Sequence, residues 1–306
     1  MIRMSELQNP VNNSTPIGII GLGIMGSAIA NQLTTLGWQV AGFDPDPIQQ
    51  KIAGGMGVSI KSHPKDVVCN AEIILSSLPN QHALNDSIDA IIDTKNNNLK
   101  VLADLSTLEL ECKLSSRERL LGAGVSFLDC PISGTGAQAK TGDLSVYASG
   151  CEEAYGYCLP LFRDFTSRVR YLGECGNGTK MKFVANLLVA IHNVASAEAM
   201  LLGERCGLDP QDVCETIAMG AGSSKIFELR APLMASRKFE PPTMRLDLWQ
   251  KDMALISEFV ARSGAVAPLF TATSPLYDAA IKNQLGAQDT AAIYSVLAQL
   301  IEQGSD

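Results

Sequence analysis

The chain has 306 residues, 46% apolar and 18% charged, which suffices for one large α/β domain or two modest ones and excludes wholesale disorder. Lys and Arg number 24 against 32 Asp and Glu, a net charge of −8, so the surface does not concentrate on phosphate backbones and no nucleic-acid partner is expected. The eight cysteines are scattered without a CxxC pair, and His63, His82 and His192 are isolated, so no metal site is expected.

Residues 1–15 are polar, lack the apolar core of a signal peptide and read as a flexible tail. No uninterrupted apolar run reaches the ~18 residues of a membrane span. The expected location is cytoplasmic, with reduced thiols and no membrane partner. Strand-like runs follow at 17–20, 38–43, 57–60, 73–78, 101–104, 125–128 and 144–148. Helical or loop segments separate the early ones, the alternation of a parallel sheet with crossover helices. After Gly178 the pattern changes. Phe183, Leu187, Ile191 and Val194 recur at helical spacing along a helix over 181–202, and further helices are expected over 210–219, 224–235, 247–263, 270–284 and 288–302. An α/β domain over 16–177 and a helical domain over 178–306 are therefore expected, joined by a long helix, and clefts between domains commonly hold ligands.

Gly21-Leu22-Gly23-Ile24-Met25-Gly26 follows the first strand and opens a helix, which is the setting a dinucleotide-binding GxGxxG needs. The first glycine permits the turn, the second lets backbone approach a pyrophosphate, and the third lets helix and strand pack closely. Asp44 ends the second strand, 18 residues past Gly26, where a carboxylate accepts hydrogen bonds from an adenosine ribose and repels a 2′-phosphate. Pro45 leaves no adjacent Arg to grip such a phosphate, so NAD is expected as the preferred cofactor and NADP as the second. Leu78 and Pro79, in the stretch that ends the fourth strand, and Thr107 after the fifth are placed to border the nicotinamide half.

Five ordered blocks now stand together: GLGIMG at 21–26, SSLP at 76–79, DCPISGTGAQAKTGDL at 129–144, GNGTKMKFVANLL at 176–188 and KD at 251–252. With them the chain resembles the β-hydroxyacid dehydrogenase family over essentially all of 16–302. The resemblance implies an N-terminal Rossmann domain with a mostly parallel sheet, a long interdomain helix and an all-helical C-terminal domain that commonly makes a homodimer, with a homotetramer as the alternative. It implies reversible hydride transfer between NAD(P) and a small hydroxy acid. It gives Ser133, Gly134 and Thr135 the substrate carboxylate, and their hydroxyls and glycine-rich amides suit an anion. It also places Thr107 and Lys251 beside the cofactor. Leu105, Ala83, Ala185 and Met244 depart from the family pattern, which leaves the substrate more open than the reaction. Gly220-Ala221-Gly222-Ser223-Ser224 and Arg230 resemble the threonate-type members.

The fourth block holds two lysines. Counted from Gly176 and Gly178, the family's catalytic lysine falls on Lys182, with Asn186 one turn later on the same face. Lys180 lies about 200° around the helix at ~100° per residue, and Asn193 about 16 Å along the axis. Lys182 is thus the expected general acid/base and Asn186 the group that holds the reacting oxygen. Two competing readings are an imine reductase on the same scaffold, whose members usually replace the lysine, and a non-catalytic dinucleotide-binding protein, which would have lost the lysine or the cradle.

Overall fold

The computed structural model describes Leu7, residues 10–94 and residues 98–303. The chain divides after Lys182 into two compact units. The first alternates β1 (Ile17–Ile20), α1 (Ile24–Thr35), β2 (Val40–Phe43), α2 (Pro47–Gly54), β3 (Ser59–Ile60), α3 (Pro64–Val68), β4 (Ile73–Ser76), α4 (Gln81–Asp93), β5 (Val101–Asp104), α5 (Leu110–Gly122) and β6 (Ser126–Asp129). Then come β7 (Ile132–Ser133), α6 (Gly136–Ala139), β8 (Ser145–Gly150), α7 (Glu152–Phe165) and β9 (Arg168–Tyr171).

The first six strands are parallel in the order 3-2-1-4-5-6, the doubly wound arrangement in which ligands bind where the order reverses, beyond the carboxyl ends of β1 and β4. β1, β4, β5 and β6 are buried throughout, as expected of strands covered on both faces. Alternate residues feed two cores. Ile17, Ile19, Ile73, Leu75, Val101 and Ala103 pack with α1 and α7, whereas Ile20, Ile74, Leu102 and Phe127 pack with α3, α4 and α5. Beyond β6 the sheet turns antiparallel: β8 pairs β6 through Gly150 and Ser149, and β7 through Val146 and Ser145. β9, parallel to β8, closes the edge with exposed Arg168 and Arg170, charges that discourage further pairing.

Several boundaries differ from the sequence reading. β7, α6 and β9 have no counterpart there: a two-residue strand and a one-turn helix leave no period to detect, and the four residues of β9, RVRY, carry two arginines in place of an apolar run. β2 opens at Val40 rather than Trp38, since the Trp38 N–H turns back to the Leu33 carbonyl and its indole donates to Asp164 Oδ2 at 2.7 Å. The expected flexible tail is partly docked. Leu7 and Val11 are buried in the first core and the Val11 N–H donates to the Tyr157 carbonyl, while residues 1–6 and 8–9 lie outside the described residues.

α8 (Asn177–Arg205) carries the chain from the first unit into the second, followed by α9 (Pro210–Ala218), α10 (Lys225–Ser236), α11 (Leu246–Ser263), α12 (Pro268–Lys282) and α13 (Ile293–Gln303). α8 is long and apolar enough to cross a bilayer, yet Phe183, Ala190, Val194, Ala197 and Met200 on it are buried in the second unit's core. The starts of α9 and α10 follow from side-chain caps: Asp209 accepts from the Gln211 and Asp212 amides, and Ser224 from the Phe227 amide. Both parts of the expected fold, the doubly wound sheet and the helical C-terminal half, are present.

Candidate active site

Three glycines at the end of β1 have three separate physical reasons. Gly21 sits at φ +90°, and a Cβ there would overlap the Ser77 carbonyl at the end of β4. A Cβ on Gly26 would overlap the Gly21 carbonyl, so α1 presses on the turn only because Gly26 has none. At Gly23 nothing lies within 4 Å of where a Cβ would stand. That open space faces the start of α1, where Ile24, Met25 and Gly26 carry amides with no intrahelical acceptor. Free amides, a positive helix end and an absent side chain fit a pyrophosphate. Leu22 is fully buried, and its amide donates to Asp44 Oδ2 at 2.7 Å. Asp44 Oδ1 accepts from the Asp46 amide at 2.9 Å, so the carboxylate is oriented by backbone on both oxygens and retains lone pairs for a ribose.

Leu78, partly buried against the second core, and exposed Pro79 follow β4, and the Leu78 amide donates to Ser106 Oγ at 2.8 Å. Thr107 is the next residue after Ser106 and is partly exposed. Ser133 ends β7 half-exposed, with a hydroxyl that has no protein partner among the described residues. Thr135 differs: its hydroxyl accepts from the Gln138 amide, and Gln138 Oε1 accepts from the Thr135 amide at 3.0 Å. It caps α6, which leaves Ser133 and the exposed Gly134 as the more available parts of the cradle. The cradle is packed against the dinucleotide helix. Gln32 of α1 donates to the Ala139 carbonyl, and a Cβ on Gly136 would run into Ile24.

The head of α8 is pinned to the sheet. A Cβ on Gly178 would stand 2.6 Å from the Asp129 carbonyl, and the Gly178 amide donates to Ser149 Oγ at 2.9 Å. Thr179 gives its amide to Asp129 Oδ2 at 2.7 Å and its hydroxyl to Asp129 Oδ1 at 2.8 Å. One turn on, Lys182 is 8% exposed, whereas Lys180 is exposed and donates to Asn177 Oδ1. In the second unit Asn186 is buried and its Nδ2 donates to Asp252 Oδ2 at 2.9 Å. Lys251, half-exposed, lies 3.8 Å from Asp252 Oδ1. Asn193 is spoken for elsewhere, donating to the Tyr277 hydroxyl and the Thr290 carbonyl. Arg230 is likewise committed, buried against Asp289 at 3.0 Å, where desolvation lowers its pKa against the pull of that carboxylate.

Sequence reasoning passed over a group beneath these loops. Ser76, Asp104 and Asp129 stand in register at the ends of β4, β5 and β6, and Lys113 of α5 reaches the two aspartates. It also passed over the hold of Asp252 on Asn186. Two strands that end VLAD and SFLD offered the signal, a charge closing an apolar run. Among the described residues no three metal-binding side chains converge, and all eight cysteines are free.

Residues 16–173 match the model described as the NAD binding domain of 6-phosphogluconate dehydrogenase, and residues 176–297 match NAD-binding of NADP-dependent 3-hydroxyisobutyrate dehydrogenase. The chain is 29% identical to glyoxylate/succinic semialdehyde reductase 2, chloroplastic, of Arabidopsis thaliana, over 92% of this chain and 79% of that one. It is 29% identical to L-threonate dehydrogenase of Cupriavidus necator, over 92% and 96%. A Mycobacterium tuberculosis 3-hydroxyisobutyrate dehydrogenase solved with L-serine superposes with a TM-score of 0.83 at 25% identity, covering 93% of this chain and 99% of that one. The chain belongs to the β-hydroxyacid dehydrogenase family.

Proposed function

We propose that this protein is an NAD-preferring dehydrogenase of small β-hydroxy acids, with Lys182 as general acid/base. The observation that carries the reading is the buried Lys182 one helical turn ahead of an Asn186 held by Asp252. A bound nicotinamide supplies the hydride acceptor or donor. The chain's own residues do the rest. The Ser133 hydroxyl and the Gly134 backbone hold the substrate carboxylate. Lys182 takes the hydroxyl proton during oxidation and returns it during reduction. Asp252 fixes one N–H of Asn186, which leaves the second to hold the reacting oxygen.

Asp44 supports the NAD preference, as a carboxylate oriented by two amides beside a proline. Lys182 and the Ser133 cradle disfavour an imine reductase and a non-catalytic binder alike. A second copy of the chain is the proposed partner, covering exposed Leu202, Met219, Leu248, Val266 and Leu269 of the second unit. Eight free thiols suit a reducing compartment, and the cytoplasm is the proposed location.

The test is nicotinamide absorbance with 3-hydroxyisobutyrate, glycerate, threonate and phenylserine, each with NAD and NADP, and the corresponding aldehydes or ketones in reverse. Turnover of one hydroxy acid with NAD favoured in kcat/KM is the expected result. No reduction of either cofactor by any acid, or turnover of cyclic imines alone, sinks the reading.

A further inference from the structure

Lys113 is a fully buried lysine on α5, outside the sequence of every block that carries the family resemblance. Its ammonium pairs with Asp104 Oδ2, lies 3.2 Å from Asp129 Oδ1 and donates to the Ser106 carbonyl at 2.8 Å. Each aspartate is equally buried and holds something else. Asp104 Oδ1 accepts from Ser76 Oγ and Ser106 Oγ, both at 2.7 Å, and Ser106 Oγ in turn receives the Leu78 amide. Asp129 receives the amide and hydroxyl of Thr179. One continuous array therefore runs from Leu78 through Ser106, Asp104, Lys113 and Asp129 to Thr179, a turn before Lys182. Desolvation pushes the Lys113 pKa down, but the two carboxylates outweigh it and hold it above the usual lysine range, so the bridge keeps its charge.

We propose that Lys113 is a positioning residue for the reaction: its ammonium locks the Leu78–Pro79 loop and the head of α8 into one rigid array, and so sets where Lys182 stands relative to that loop. Without the cation, two buried carboxylates face each other with no counter-charge, and the two ends of the array lose their common anchor. The inference rests on the dehydrogenase reading for its kinetic consequence, while the mechanical coupling stands without it.

Two mild variants sit at opposite ends: Ser106→Ala beneath Leu78 and Thr179→Val at the head of α8. These are measured alone, together and beside Lys113→Met, with kcat and KM for the best hydroxy acid and with amide exchange of 76–80 and 177–182 in cofactor-free protein. Lys113→Met is expected to lower kcat by about 10- to 100-fold through misplacement, with KM within about threefold. Ser106→Ala is expected to speed exchange in 177–182 as well as in 76–80. The Ser106→Ala/Thr179→Val pair is expected to depart from additivity in kcat by about twofold or more. Additive kinetics with exchange changes confined to the mutated end overturn the proposal, as does a Lys113→Met protein that keeps kcat. If Lys113→Met does not fold, the two end variants decide alone. A wild type with no turnover overturns the dehydrogenase reading instead, and the exchange experiment then decides the array.

Discussion

Asp104 and Asp129 end neighbouring parallel strands as direct partners in the register, with both side chains fully buried. Two carboxylates so close in a protein interior repel strongly unless a cation stands with them, and Lys113 supplies it. The carboxyl ends of β5 and β6 lie in line beside that of β4, which flanks the reversal of strand order, so the charge that solves an electrostatic problem also braces the loops above it. Breaking such a buried group by removing one partner typically costs about 3–5 kcal/mol, which puts Lys113 among the residues on which the first unit's stability depends most.

Gly23 and Gly26 are three residues apart in one motif and predict opposite phenotypes. Gly23→Ala places a methyl in open space, so thermal unfolding stays close to wild type while the dissociation constant for NAD rises by about tenfold or more, worth about 1.4 kcal/mol. Gly26→Ala forces a methyl onto the Gly21 carbonyl, and overpacking of that kind typically costs about 1–3 kcal/mol. Calorimetry and cofactor titration of both variants check the contrast. A Gly23→Ala protein that melts early and binds NAD normally contradicts it.

What the sequence could and could not convey follows from the period of each signal. Ile17–Ile20 and Val101–Asp104 are found with their observed limits because central parallel strands read as near-continuous apolar runs, the first bounded by Gly21 and the second closed by the charge of Asp104. GLGIMG and Asp44 were legible because a strand, a turn and a helix must follow one another there. The separation of Lys182 from Lys180 was legible from helical geometry and agrees with their burial. Lys113 was not legible. It lies in ECKLSSRER, which reads as a solvated helix face, and only the fold turns that one lysine inward beneath two strand ends. The commitment of Arg230 to Asp289, 59 residues away, is hidden for the same reason.

Cofactor choice is expected to turn on Asp44 and Pro45. Asp44→Ser with Pro45→Arg removes an anion and adds a phosphate partner, so kcat/KM shifts from NAD toward NADP. Pro45→Arg alone leaves both backbone bonds to Asp44 intact and is expected to gain little, because the carboxylate still repels the 2′-phosphate. Steady-state kinetics with both cofactors measure this. A wild type that already prefers NADP refutes it.

Ser133→Ala is expected to raise KM for the hydroxy acid while NAD affinity stays nearly intact. Losing one hydrogen bond to a charged group costs about 1.5–3 kcal/mol, an increase of roughly 10- to 150-fold. Thermal stability is expected to hold, since the Ser133 hydroxyl has no protein partner among the described residues. Thr135→Val contrasts with it by destroying the cap of α6, so its effect falls on stability first. Equal loss of cofactor and substrate binding in Ser133→Ala would assign this loop to the dinucleotide.

Lys182 and Lys180 give the sharpest comparison. Both belong to GNGTKMKFVAN at the head of α8, yet Lys182 is buried and Lys180 points to solvent with Asn177 as its partner. Oxidation of an alcohol by hydride loss leaves a proton that a positioned base must take, an effect typically worth about 10²–10⁴ in rate. His192 is half-buried nearly three turns past Lys182 and adjoins Asn193, whose side chain is tied to Tyr277, so it has no comparable placement. Lys182→Met is therefore expected to keep the fold and the NAD affinity and to lower kcat by at least about 10². Lys180→Met changes kcat little, because its side chain leaves the helix on another face. Circular dichroism, NAD titration and kcat on the two proteins separate the cases. If Lys180→Met abolishes turnover while Lys182→Met does not, the catalytic lysine has been placed two residues too far along. If neither change matters, proton transfer in this protein does not use a lysine of α8.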